Sequence, residues 1–343
     1  MKLITIVSSD FLFNTSKSSS FKTSIRIFSL RIFLLFIFSV SLLLIYSNKA
    51  HSAENLNAKS RAIDRVLKSE ALCQNLGDYY WEIGDRNGRL LYGSSNGAIS
   101  SDTNLLIASA SKLVFAAYIA ERKYGKLSRK EISYLEMTSG YDNLNPALCS
   151  RRLAETPLDC FNTRNNNKIT TDHIGKFSYN GGHFQKLMID FGLGDLSNSE
   201  LSADLQQVIG NDIKISYTSP QSAGGMSSTP AEYAKFLRKV LRGELYISNL
   251  LGSAPICTLP GSCSSAVNSP SPYDWHYSIG HWVEDDEDGD GAYSSSGAFG
   301  FYPWISRDKT YYGIFARYER EQKAGWHSAD CGKLIRKAFM ETK

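Results

Sequence analysis

The chain has no CxxC pair, no Cys/His cluster and no histidines at ligand spacing. Nothing in it is written as a zinc site, and no cofactor is implied. Clustered basic charge is also missing. Six of the 38 Lys/Arg and one of the 34 Asp/Glu fall within residues 1–53, leaving 32 against 33 in the remainder. That near-neutral balance speaks against a nucleic-acid partner. Long apolar runs are scarce too. The one clear run, Ile32 to Tyr46, is short for a spanning helix. It follows Arg26 and Arg31 and precedes small residues around Ala50 to Ala53. This is the pattern of a signal peptide over 1–53, cleaved after Ser52 or Ala53, and predicts a secreted or periplasmic protein. A membrane association follows only if the leader stays attached.

What the chain does have is six cysteines, all beyond the leader: Cys73, Cys149, Cys160, Cys257, Cys263 and Cys331. An even number in an exported chain points to disulfides. Cys149/Cys160 and Cys257/Cys263 are close in sequence within turn-rich loops. Pairing them locally leaves Cys73 with Cys331, one near each end.

Two alternating aromatic runs flank "DRNG" (85–88), a hairpin signal. Helical patterns fill most of 125–250, including the Thr229-Pro230 opening of "TPAEYAKFLRKVLRGEL". After the Pro/Ser-rich loop 254–273 the period returns to two. Three strands follow in "WHYSIGHWVE", "SSSGAFGFYPWIS" and "TYYGIFARYE", then a terminal helix. Strands at both ends and helices between predict one antiparallel sheet of five strands, flanked by terminal helices, beside a helical lobe. The expected sheet lobe is 54–108 with 274–343, and the helical lobe 109–273.

One apolar helical run, "LIASASKLVFAAYIAE" (106–121), carries a lysine in its first turn. The helix dipole disfavours a cation there. Three S-x-x-K matches occur: Ser19–Lys22 in the leader, Ser306–Lys309 in a polar turn, and Ser109–Lys112. In the last pair, serine and lysine share a helix face. Burial and the dipole lower the amine's proton affinity, which makes Lys112 a base able to activate Ser109. The plainer alternative is that Ser109 caps the helix, which leaves Lys112 unexplained.

"FSYNGGHF" holds Ser178-Tyr179-Asn180, and "YSSSGAFGFYPWI" places Gly297 on a candidate strand. In this order, S-x-x-K, S-x-N and a strand glycine, the sequence resembles the penicillin-recognising serine hydrolases: serine β-lactamases, D,D-peptidases and related esterases. "EMTSGY" (136–141) and "SAGGMSSTPAEYAKFL" (222–237) add to the likeness, which spans roughly 56–340. The resemblance implies a β-lactamase-like α/β (α+β) fold over 54–343. It makes Ser109 the acylated nucleophile and Lys112 its base. Ser178 or Tyr179 would pass the proton to the leaving group, and Asn180 would hold substrate or Lys112. The amides of Ser109 and Ala298 would form the oxyanion hole. Ser295, Ser296 and Gly297 occupy the place of the family's K-T-G.

The departures bear on substrate. The K-T-G lysine is missing, which weakens carboxylate binding unless Arg307 or His281 replaces it. The deacylating E-x-x-L-N element is also absent between Asn180 and Gly297. The expected function is an exported serine hydrolase acting on a β-lactam, a peptide-like or peptidoglycan-type amide, or an ester. The alternatives are a slow-turnover penicillin- or peptidoglycan-binding sensor and a non-catalytic interaction protein. "DDEDGDG" (285–291) opens like a calcium loop but has Gly297 where the twelfth-position glutamate belongs, so a solvated hairpin tip is expected.

Overall fold

The computed structural model describes residues 53–150, 153–321 and 323–343; the signal-peptide expectation for 1–53 falls almost wholly outside them. Helix α1 (53–69) precedes the hairpin β1 (Tyr79–Asp85) and β2 (Arg89–Ser94). Strand β3 (Leu105–Leu106) leads through a short 3-10 turn, Ala108–Ala110, into α2 (Ser111–Arg122). Helices α3 (Arg129–Leu135) and α4 (Pro157–Asn162) follow, then β4 (Phe177–Ser178), α5 (Gly182–Asp190) and α6 (Asn198–Ile209). Next come β5 (Ser216–Tyr217), β6 (Met226–Ser228) and α7 (Pro230–Leu241). Seven strands then run to the C-terminal helix, the first six being β7 (Ile256–Cys257), β8 (Ala266–Asn268), β9 (His276–Ser278), β10 (His281–Glu284), β11 (Ala292–Ser294) and β12 (Phe301–Ile305). Strand β13 (Tyr311–Arg317) and α8 (Ala324–Glu341) complete the chain.

The main sheet is antiparallel with eight strands, in the order β2-β1-β13-β12-β11-β10-β9-β7, rather than the five expected. "WHYSIGHWVE" accounts for part of the difference. It folds as a hairpin, β9 and β10, because Gly280 takes φ +74° between them. The edge strand β7 comes from the loop region before it. Gly297 is not on a strand but in the turn between β11 and β12.

The pleat of β13 sorts its two faces. Tyr312, Ile314 and Ala316 join the large core on the α7 side, where Arg238 donates to the Tyr312 hydroxyl. Tyr311 packs edge-on against Phe339 of α8 on the other. Helix α7 is amphipathic and well started. Thr229 accepts from the Glu232 amide, Pro230 sits at the first turn, and Tyr233, Phe236, Leu237, Val240 and Leu241 are buried. Helix α2 is apolar all round from Leu113 to Ala120 and buried throughout, so it forms the spine of the core.

All three disulfides pair as the sequence spacing suggests: Cys73–Cys331, Cys149–Cys160 and Cys257–Cys263. Three such bonds belong with an oxidising, extracytoplasmic environment. Among the described residues no helix is long and apolar enough to cross a membrane. The acidic tip 285–291 spends its carboxylates locally: Asp286 accepts from the Trp275 indole, and Asp290 pairs with Arg336.

Candidate active site

Ser109 sits in the 3-10 turn that opens into α2, and its side chain caps neither segment. Ala108 just before it adopts φ +44°, a left-handed conformation that a side chain rarely takes and that costs energy. The turn is held from several directions. The Ile107 amide donates to Met226 O on β6, and the Tyr233 hydroxyl donates to Ala110 O. The Ser295 hydroxyl donates to Ser109 O at 3.2 Å. These contacts fix the backbone at Ser109 although the local sequence does not favour it.

Lys112 follows one turn later and is only 3% exposed. Its Nζ lies 2.8 Å from Ser109 Oγ and 2.9 Å from the Ala223 carbonyl oxygen, to which it donates. Burial without a carboxylate partner lowers its pKa to about 7. An amine that is half neutral near pH 7 can accept the serine proton. Tyr179 is the second ionisable group at the site. Its ring face lies 4.8 Å from the Lys112 nitrogen and stacks on Trp282 at 5.5 Å. Burial pushes its pKa up to about 12, opposed by a hydrogen bond with Ser109. Tyr179 is therefore a protonated hydroxyl beside Ser109, chemically suited to passing a proton rather than acting as first base.

These groups line a cleft of about 840 Å³ whose walls include Leu106, Leu144, Pro146, Ala147 and Phe299. Ala298 and Ser109 both line it. Neither of their amides has a backbone acceptor among the described residues, so both are available to a developing oxyanion.

No protein-family model and no curated protein matches the sequence. Solved structures do match in shape. D-amino acid amidase from Ochrobactrum anthropi superimposes with a TM-score of 0.62 at 10% identity, over 82% of this chain and 99% of that one. A candidate beta-lactamase from Bacteroides dorei gives 0.60 at 19%, over 81% and 98%. D-stereospecific amidohydrolase from Streptomyces gives 0.57 at 15%, over 82% and 99%. The fold is the β-lactamase-like one that these structures share.

Within this fold several site residues are placed otherwise than expected. Ser178 does not face the cleft: its side chain is buried and hydrogen-bonds Asp142, which also accepts from Thr170 and His173. Adjacent positions on a strand point to opposite sides, so Tyr179 takes the place beside Ser109 and Ser178 anchors the turn from behind. His183, fully buried, completes the anchor through Ser178 O at 2.9 Å and the Ser139 hydroxyl at 2.7 Å. Asn180 lines the cleft but does not touch Lys112. Its Oδ1 accepts from the Leu144 and Gly182 amides, and its Nδ2 donates to Leu144 O.

Ser295, Ser296 and Gly297 are likewise corrected from substrate contacts to supports. Ser295 holds Ser109 O, and Ser296 donates to Gly325 O at the start of α8. A Cβ on Gly297 would come within 2.2 Å of Ile107 O, so the glycine permits the 295–298 segment to lie against the turn that carries Ser109. Of this group only Ala298 reaches the cleft. His281 cannot replace the missing K-T-G lysine, because it is fully buried, bonded to Ile279 O and Gly252 N, and lowered to about 4 by burial. Arg307 packs beside Gly291, away from the cleft.

Sequence reasoning missed Ala223 and the apolar wall. "SAGGM" was visible as a likeness, but nothing in it says that a carbonyl will face Lys112. Leu144, Pro146 and Ala147 of that wall belong to a loop tied by Cys149–Cys160 and Asn180, so their position depends on partners elsewhere in the chain.

Proposed function

We propose that this protein is an exported serine hydrolase that forms an acyl-enzyme at Ser109, with Lys112 as base, on a β-lactam, peptide-like amide or ester. The observation that carries the proposal is the 2.8 Å approach of a buried amine, lowered to about 7, to Ser109 Oγ on the floor of an apolar cleft. Neutral Lys112 takes the Ser109 proton as Oγ attacks the substrate carbonyl. The amides of Ser109 and Ala298 receive the oxyanion. As the intermediate collapses, the Tyr179 hydroxyl protonates the leaving nitrogen or oxygen and regains a proton from the Lys112 ammonium. Water then releases the acyl group with the same two residues in reversed roles. The likeness in fold to a D-amino acid amidase and a D-stereospecific amidohydrolase supports amides within the substrate range.

The test is intact-mass spectrometry of the oxidised protein with benzylpenicillin and, in parallel, an activated short-chain ester. An adduct that Ser109→Ala abolishes supports the assignment, and turnover should fall by about 10⁴-fold or more, as when a serine nucleophile is lost. An adduct retained in Ser109→Ala would overturn it. An adduct that forms and persists favours a slow-turnover sensor, the reading to which the missing E-x-x-L-N element points.

A further inference from the structure

Gln185 is 1% exposed, in the middle of α5, and touches neither Ser109 nor Lys112. Its side-chain amide is fully used. Nε2 donates to Pro157 O at 3.1 Å and Pro220 O at 2.8 Å. Oε1 accepts from the Ser222 amide at 3.2 Å and the Ser222 hydroxyl at 3.3 Å. Two donors and two acceptor positions are all that a primary amide offers. Three of these four bonds go to the segment Pro220–Ser222, and the next residue is Ala223, whose carbonyl accepts from Lys112.

We propose that Gln185 is a positioning residue for the base, bracing the 220–222 segment so that the Ala223 carbonyl holds the Lys112 amine with its lone pair toward Ser109. The inference rests on the reading of Lys112 as base. A neutral amine has two N–H bonds and one lone pair. Fixing one N–H on Ala223 O stops free rotation about Cε–Nζ and leaves the lone pair free to face Ser109 Oγ at 2.8 Å. The side chain expected to do this, Asn180, is committed to Leu144 and Gly182. The brace also keeps the cleft wall closed over the amine. Among the described residues lining the cleft, Tyr179 is the other ionisable group that faces Lys112.

The test compares wild type, Gln185→Met and Ser222→Ala. It reads the acylation burst with p-nitrophenyl acetate and the titration of Lys112 by NMR of ¹³C-lysine-labelled protein, the signal being assigned by its loss in Lys112→Met. In Gln185→Met the acylation rate should fall about 10- to 100-fold, the cost of a misplaced catalytic group, with substrate affinity within about twofold. The Lys112 midpoint should rise by about one pH unit as water reaches the amine. Ser222→Ala should move both in the same direction by less. A folded variant in which Lys112 titrates as in wild type overturns the proposal, and if Gln185→Met does not fold, Ser222→Ala decides alone. A wild-type protein without a Ser109-dependent burst refutes the hydrolase assignment instead, and the Lys112 titration still decides the coupling to Gln185.

Discussion

Lys112 is costly to keep. Its amine is buried without a carboxylate, and its pKa drops from 10.5 to about 7. Between those values the unfolded chain holds a proton that the folded chain has released, so stability rises with pH through that window. The group imposes no penalty above pH 10.5 and its full penalty below about 7, at roughly 1.4 kcal/mol per unit. Lys112→Met should therefore raise Tm most at about pH 6, with the advantage shrinking as pH climbs from 7 toward 10.5. The same substitution should abolish acylation. Thermal melts across that range check both the sign and the window, and a Tm gain independent of pH would contradict the account.

At the scale of elements, Tyr179 depends on a strand from a distant loop. Strand β8 pairs in parallel with β4, which carries Phe177 and Ser178. The Tyr179 amide donates to Asn268 O at 2.9 Å, and the Asn268 side chain donates to Tyr179 O at 3.4 Å. The loop that delivers β8 is tied by Cys257–Cys263, a bridge of separation 6. So short a closure constrains the unfolded chain little, by about 2 kcal/mol, but it limits where β8 can lie. Replacing both cysteines by serine should change Tm by only a few degrees and lower the acylation rate about tenfold. Burst kinetics beside a thermal melt separate the effects, and an unchanged burst would show that β8 holds Tyr179 without the bridge.

Over the whole of the described fold, the segment after α1 meets the C-terminal helix. Cys73 bonds Cys331 across 258 residues, and Arg317 on β13 donates to Leu76 O and to the Ser328 hydroxyl of α8. Closing so long a loop removes much unfolded-state entropy, about 5 kcal/mol. Cys73→Ser with Cys331→Ser should thus cost a large part of the stability of a chain this size. Denaturant titration of the double variant measures it. Neither cysteine lines the cleft, so acylation by the folded fraction should stay near wild type.

The sequence by itself determined the pieces whose cause is local. The period of two, the capped start of α7, the apolar run of α2 and the S-x-x-K spacing can all be seen without a fold, because helix and strand periodicity are properties of neighbouring residues. The disulfide pairing was legible as well, since two short loops leave a single remaining pair. The strand count was not: the Gly280 hairpin and the edge strand β7 depend on pairing across the sheet. Nor was the placement of Tyr179 beside Lys112 and of Ser178 against Asp142, which turns on which way each side chain leaves the backbone. The Ala223 carbonyl and Gln185 were hidden for the same reason. A backbone oxygen has no signature in sequence, and what it binds is decided by segments that tertiary packing brings together, 111 residues apart for Lys112 and Ala223 and 35 for Gln185 and Pro220.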